Sequence, residues 1–323
     1  MPLQLNKEGP MNEAEINEII KKIEREMTGD PEKDMEIWNE WGERYRGQPG
    51  SEPLLHEIGR RMFDIAMKED GDLAQEIFDD MVETADDDYD EACSLIDRGK
   101  YDDALGKLLV LTALIRAYPL PEETIWMDFA SYLDSLVYMD YYSEEIGDRE
   151  IGRHPMHPGR MLYTCGSLLI EMNRAEEALE PLEMLVSLDP VCPKYLFELG
   201  EAYKRLGRLQ DAYDNARYAL QCASNRVELA RGYRDLAYCL TEAEEYEDAV
   251  MLYLMSLQFQ SSRSAEAELQ WIRKKTGINA EDYTEEMIKE CCQKLDLPVE
   301  ISEVVQKNIE LLDILSSSSD DQE

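Results

Sequence analysis

The stretch "LGEAYKRLGRLQDAYDNARYAL", residues 199–220, sets small residues at regular helical intervals and gathers Lys204, Arg205, Arg208 and Arg217. Three other segments share its turn: "GKYDDAL" from Gly99, "NRAEEAL" from Asn173 and "EEYEDAV" from Glu244, beside its own "GRLQDAY" from Gly207. Each carries an Ala before an apolar residue (Ala104, Ala178, Ala212, Ala249), and twelve residues earlier lies another small residue (Ala92, Gly166, Gly200, Ala237). Gly166 to Gly200 and Ala178 to Ala212 are both 34 residues, whereas Ala249 follows 37 residues after Ala212, which reads as a three-residue insertion. Between Ala104 and Ala178 there are 74 residues, room for one irregular helical hairpin.

Backbone proximity explains the spacing. Two antiparallel helices joined by a short turn approach closely only where large side chains are absent, so a small residue on one is expected to meet a small residue on the other. A mid-helix Gly gives up about 1 kcal/mol of propensity for that closeness. Leu199, Tyr203, Leu206 and Leu220 supply apolar contacts at helical spacing. Gly207, or Asn173 in its place, suits the left-handed end of a first helix, and Asp189-Pro190 stops a second one.

These residues resemble the tetratricopeptide repeat family, whose unit is 34 residues of helix–turn–helix. The likeness is strongest over 159–226, good over 230–263 and recognisable at 85–118, although Ser224 stands where a second proline is expected. It implies an all-α, right-handed solenoid. It also implies that places 2, 5, 9, 12 and 13 of each first helix line a concave groove. Carried over, those places give Arg160, Tyr163, Ser167, Ile170 and Glu171, then Lys194, Phe197, Glu201, Lys204 and Arg205. The unit from 230 adds Arg231, Arg234, Tyr238, Thr241 and Glu242. The partner-binding candidates are therefore Arg160, Tyr163, Lys194, Phe197, Lys204, Arg205, Arg231, Arg234 and Tyr238. Such a cationic groove suits an acidic protein or peptide segment, because Arg forks grip carboxylates bidentately. The chain's own "SSSSDDQE" end is one such segment. Two other readings stand: these cations pair with nearby Glu and Asp of the chain, or the protein is a structural scaffold subunit held by sister subunits.

With 71 acidic against 33 basic residues and a net charge of −38, contact with nucleic acid or with an anionic membrane surface is not expected. No apolar run reaches the roughly 18–20 residues that span a bilayer, and the opening lacks a secretory signal pattern. Seven scattered cysteines fit reduced thiols, so a cytoplasmic location is expected.

The rest also reads as helices. Residues 1–145 form divergent hairpins, at 13–27, 32–46, 53–69 and 72–84, then the unit at 85–118 and a long helix over 121–142. A Gly/Pro joint at 146–158 precedes the array of 159–263, capping helices fill 264–315, and 316–323 is expected to be a disordered acidic tail.

No catalytic, cofactor or metal site is expected. "DDDYDEACSLID" (86–97) has calcium-loop spacing but Glu91 where the turn needs Gly, so a helix is the better reading. His154 and His157 lack the further ligands zinc requires and read as exposed loop residues. Trp38, Trp41 and Tyr45 share one helical face and read as hairpin packing.

Overall fold

The structure, a computed structural model, describes residues 11–319 except 12, 46–50, 52–53, 56, 60, 63–64 and 66–70. The chain divides into two compact units, Met1–Pro119 and Leu120–Glu323. Apart from one pair of short strands, the regular structure among the described residues is helical.

In the first unit, helices α1 (Glu13–Glu26) and α2 (Pro31–Tyr45) form a hairpin. Ile19, Ile20 and Ile23 bury against Trp38 and Tyr45. Trp41 stacks on Tyr45 at 6.3 Å and donates its indole N–H to Glu26 at 2.9 Å. The aromatic face is thus packing, as its spacing suggests. Helices α3 (Gly71–Asp97) and α4 (Tyr101–Ala117) follow. The sequence reading broke α3 into two helices near residue 85; they are one, because no Gly or Pro interrupts 72–97. The acids of 86–97 lie along that helix, and Lys107 of α4 sits 2.8 Å from both Asp88 and Glu91. The helix expected at 53–69 falls largely outside the described residues.

The second unit opens with β1 (Thr124–Met127), α5 (Tyr132–Tyr141), the single turn α6 (Ser143–Ile146) and β2 (Glu150–Arg153). The long helix expected over 121–142 is therefore corrected to a strand and a shorter helix. Thr124, Ile125 and Trp126 favour extended backbone, and Ser131 starts α5 by accepting the Asp134 amide at 3.1 Å. The strands pair in parallel, Thr124 opposite Glu150 and Met127 opposite Arg153. The Gly/Pro stretch 146–158 consequently contains a strand. His154 departs from the exposed loop residue expected: it is 2% exposed, its amide bonds to Met127 O at 2.8 Å, and its Nδ1 accepts the Met156 amide.

Six helices then alternate: α7 (Gly159–Glu171), α8 (Ala175–Leu188), α9 (Pro193–Arg205), α10 (Leu209–Cys222), α11 (Arg226–Glu242) and α12 (Tyr246–Phe259). Each packs against its sequence neighbours, and the first helices α7, α9 and α11 also touch in succession. This stacking makes a solenoid.

Four hairpin turns share one geometry. Gly99, Asn173, Gly207 and Glu244 have φ of 72°, 59°, 69° and 64°. The amide one residue later reaches back five positions: Lys100 to Leu95 O, Arg174 to Leu169 O, Arg208 to Tyr203 O and Glu245 to Leu240 O, all within 2.8–2.9 Å. This is the Schellman ending of a helix.

The close approach at Gly166 differs in its partner. A Cβ there would lie 2.4 Å from Leu182, one turn beyond Ala178. Helical side chains lean toward the N-terminus, so Leu182 covers the spot beside the glycine. The three-residue insertion becomes an extra turn at the start of α11, capped by Asn225, whose Oδ1 accepts the Val227 and Glu228 amides at 3.0 Å. Asn225 thus replaces the missing proline as the start signal.

Helices α13 (Arg263–Thr276), α14 (Glu285–Lys294) and α15 (Glu303–Ser319) follow α12, with a 3-10 turn at Ala280–Asp282. The last reaches four residues into the segment read as a tail; 320–323 lie outside the described residues. Helix α15 packs on α5, where Lys307 and Asn308 donate to Asp140 at 3.0 and 2.9 Å.

Gly166→Ala should cost about 1–2 kcal/mol, since the clash with Leu182 outweighs the roughly 1 kcal/mol gained in helix propensity. Glu244→Gly should stabilise by about 1 kcal/mol, because only glycine holds the left-handed region without strain. Urea unfolding followed by circular dichroism checks both signs.

Candidate functional site: the first-helix face of the repeats

The surface formed by α7, α9 and α11 brings most of the expected residues together. Lys194 at the start of α9 holds its Nζ 3.8 Å above the Tyr163 ring of α7, and Tyr163 tilts against Tyr195 at 5.9 Å. Phe197 is buried, with the Arg231 guanidinium of α11 over its ring at 4.7 Å. Arg160 is exposed near the start of α7. Tyr238 lies toward the other end of α11, its ring 5.5 Å from the Lys204 ammonium.

Three acids stand between the cations. Glu198 accepts from Ser167 of α7 at 3.3 Å and from Arg231 of α11 at 3.2 Å. Lys204 lies 2.8 Å from Glu201 and 2.9 Å from Asp235 of α11, with 15% of its side chain exposed. Arg205 donates to Glu201 at 3.1 Å, to Ile170 O at 3.0 Å and to Asn173 Oδ1 at 3.1 Å. Lys204 and Arg205 are therefore joints between neighbouring repeats, as the self-pairing reading anticipated.

Ionisation follows from these contacts. Burial pushes the Lys204 ammonium down, but Asp235 and Glu201 outweigh it and hold it above the ordinary lysine range. Burial likewise pushes Glu201 up, yet Lys204 and Arg205 keep it below the ordinary carboxylate range.

Arg234 differs. Its Nη1 is buried and has no hydrogen-bond partner, and burial lowers its pKa with only Asp235 opposing. A guanidinium stays charged regardless. A donor so placed lacks an acceptor that water supplies elsewhere on the surface.

Sequence reasoning missed Glu198 and Asp235. Both occupy place 6 of their units, beside the cations at place 5 or 2, and that coincidence was the available signal.

All seven cysteines are free thiols, and among the described residues no helix is long and apolar enough to cross a membrane. Residues 163–227 match the family model for the tetratricopeptide repeat, so the chain carries tetratricopeptide repeats there. No curated protein matches the chain. Among the solved structures similar to it are two of MamA. One is MamA from residue 41 to its end, from Desulfovibrio magneticus RS-1, with 14% identity, a TM-score of 0.39, and coverage of 73% of this chain and 100% of that one. The other is the ArsTM double mutant of MamA RS-1, with 14% identity, a TM-score of 0.38, and coverage of 75% and 99%.

Removing Lys204 leaves two partly buried carboxylates facing each other, so Lys204→Ala should cost about 2–3 kcal/mol. Arg234→Met should be neutral or stabilising, since it removes an unmet donor. The depressed Glu201 carboxyl adds stability above its unfolded pKa, lost as pH falls through the folded value. Unfolding of both variants at neutral pH, with wild type followed into the acid range, tests these statements.

Proposed function

We propose that the protein is a non-catalytic adaptor whose first-helix groove holds an acidic segment of a partner protein. The observation that carries this reading is Arg234, a half-buried guanidinium beside Arg231 that has no ion-pair partner among the described residues. Lys194 is exposed and rests on Tyr163, so its ammonium is placed for a second carboxylate. Lys204 and Arg205, already engaged, give the groove its shape rather than its grip. Binding thus centres on Lys194 and Arg234, with Tyr163 beneath Lys194 adding cation–π support, while Arg231, paired with Glu198 and lying over Phe197, also serves the groove's shape. The chain's own end at 316–323 has the matching chemistry and could fill the groove in cis or from a neighbouring chain.

A second reading, a scaffold subunit held by sister subunits, draws on exposed apolar side chains of the C-terminal helices: Trp271, Met287, Leu311 and Ile314. Light scattering separates the two, because a scaffold self-associates or co-purifies with a fixed partner.

A fluorescent oligo-glutamate peptide is the direct probe, read by anisotropy. Arg234→Glu combined with Lys194→Glu should weaken binding at least tenfold with helicity unchanged, while removal of 316–323 should tighten it if the tail competes. Equal binding by wild type and the charge-reversed protein, or no binding by either, rejects the acidic-segment reading.

A further inference from the structure

Away from that face, the turn between α8 and α9 carries a second constellation. Asp189 follows the last residue of α8 and Cys192 precedes the first of α9, in the run "DPVC". Strand β1 is fastened to the same turn: the Asp128 amide donates to Leu188 O at 3.0 Å, and the Ala130 amide to Asp189 Oδ2 at 2.8 Å. This fastening delivers the first turn of α5, and with it Asp134. One donor atom each from Asp134, Asp189 and Cys192 then lies within 4.8 Å of the others.

Asp189 is 0% exposed, and its Oδ1 has no hydrogen-bond partner. A buried carboxylate oxygen left without a donor is costly, and more so when charged. The charged groups that bear most on it, Asp134 and Asp128, are acids rather than cations. Burial and then Asp134 push the Asp189 carboxyl up to about 8, and burial pushes Asp134 up to about 6. Three potentially anionic donors thus meet with acids, not cations, as the charged neighbours of Asp189.

We infer that Asp134, Asp189 and Cys192 form a binding site for one divalent cation of the zinc class, pinning α5 to the turn between two repeats. A thiol beside two carboxylates is a mixed donor set that suits a borderline-soft ion; calcium and magnesium take oxygen throughout. Three protein ligands leave a fourth position for water, which reaches the site past the half-buried Asp134. Ligands on one tetrahedral ion stand roughly 3.5 Å apart, so the three donors need close by no more than about an ångström on binding. A proton shared between the carboxylates is the competing occupant.

Cobalt(II) is the probe, added alone to the metal-free full-length protein. The expected result is one equivalent bound, with the near-ultraviolet charge-transfer band of a thiolate ligand. Cys192→Ser should abolish that band although six other cysteines remain. Asp189→Asn should weaken affinity at least tenfold, and Asp134→Asn, at a less buried carboxylate, gives the same reading if the first variant fails to fold. Zinc should displace the cobalt. A band that survives Cys192→Ser, unchanged affinity in both Asp variants, or no uptake at all overturns the site; the last outcome leaves the pair to a proton.

Discussion

A short turn between two helices leaves little freedom in how they meet. In this protein that freedom is removed by one residue per hairpin held at positive φ, followed by an amide that reaches back five positions. The turn fixes the rotation of the second helix about the first, and so decides which side chains face the neighbouring hairpin. Everything built on the array inherits that setting: the contact of Leu182 over Gly166, the succession of α7, α9 and α11, and the face they form together. Stability in such arrays is close to a sum of hairpins and their interfaces, so a small per-turn term is repeated along the chain.

The charged face shows how little a residue's type says about its duty. Lys204 and Arg234 are both cations on the first helices of adjacent units. Lys204 is enclosed by carboxylates from its own helix and the next, where removing one member strands the others. Arg234 has a donor that the protein leaves unmet. The first joins repeats; the second leaves a buried donor without a partner.

Much of the array was legible because its signals are local. Asn173 and Gly207 mark turns by conformational preference, and a 34-residue interval sets the phase. The candidate face was legible in the same way, since place numbers assign residues to one side of a helix. What escaped depended on contacts distant in sequence. The 120–158 region alternates too little to announce a strand, and β1 is stabilised by β2, twenty-six residues away, and by the end of α8. Asp189 read as part of a helix stop because its relation to Asp134 spans 55 positions and passes through that strand. Likewise no one-dimensional pattern reveals that His154 is covered.

At the junction of α9 and α11 two ion pairs run in opposite senses, an acid and a cation from each helix. Ser167 and Arg231 reach Glu198 from opposite sides, and Asp235 takes Lys204 from the helix before it. A different hairpin docked on α9 would leave the Lys204 ammonium without its Asp235 mate. Arrays of near-identical units are prone to mispairing with the wrong neighbour while they fold. The two opposed pairs therefore work as an address for that junction, telling the hairpin of α11 which neighbour it belongs beside.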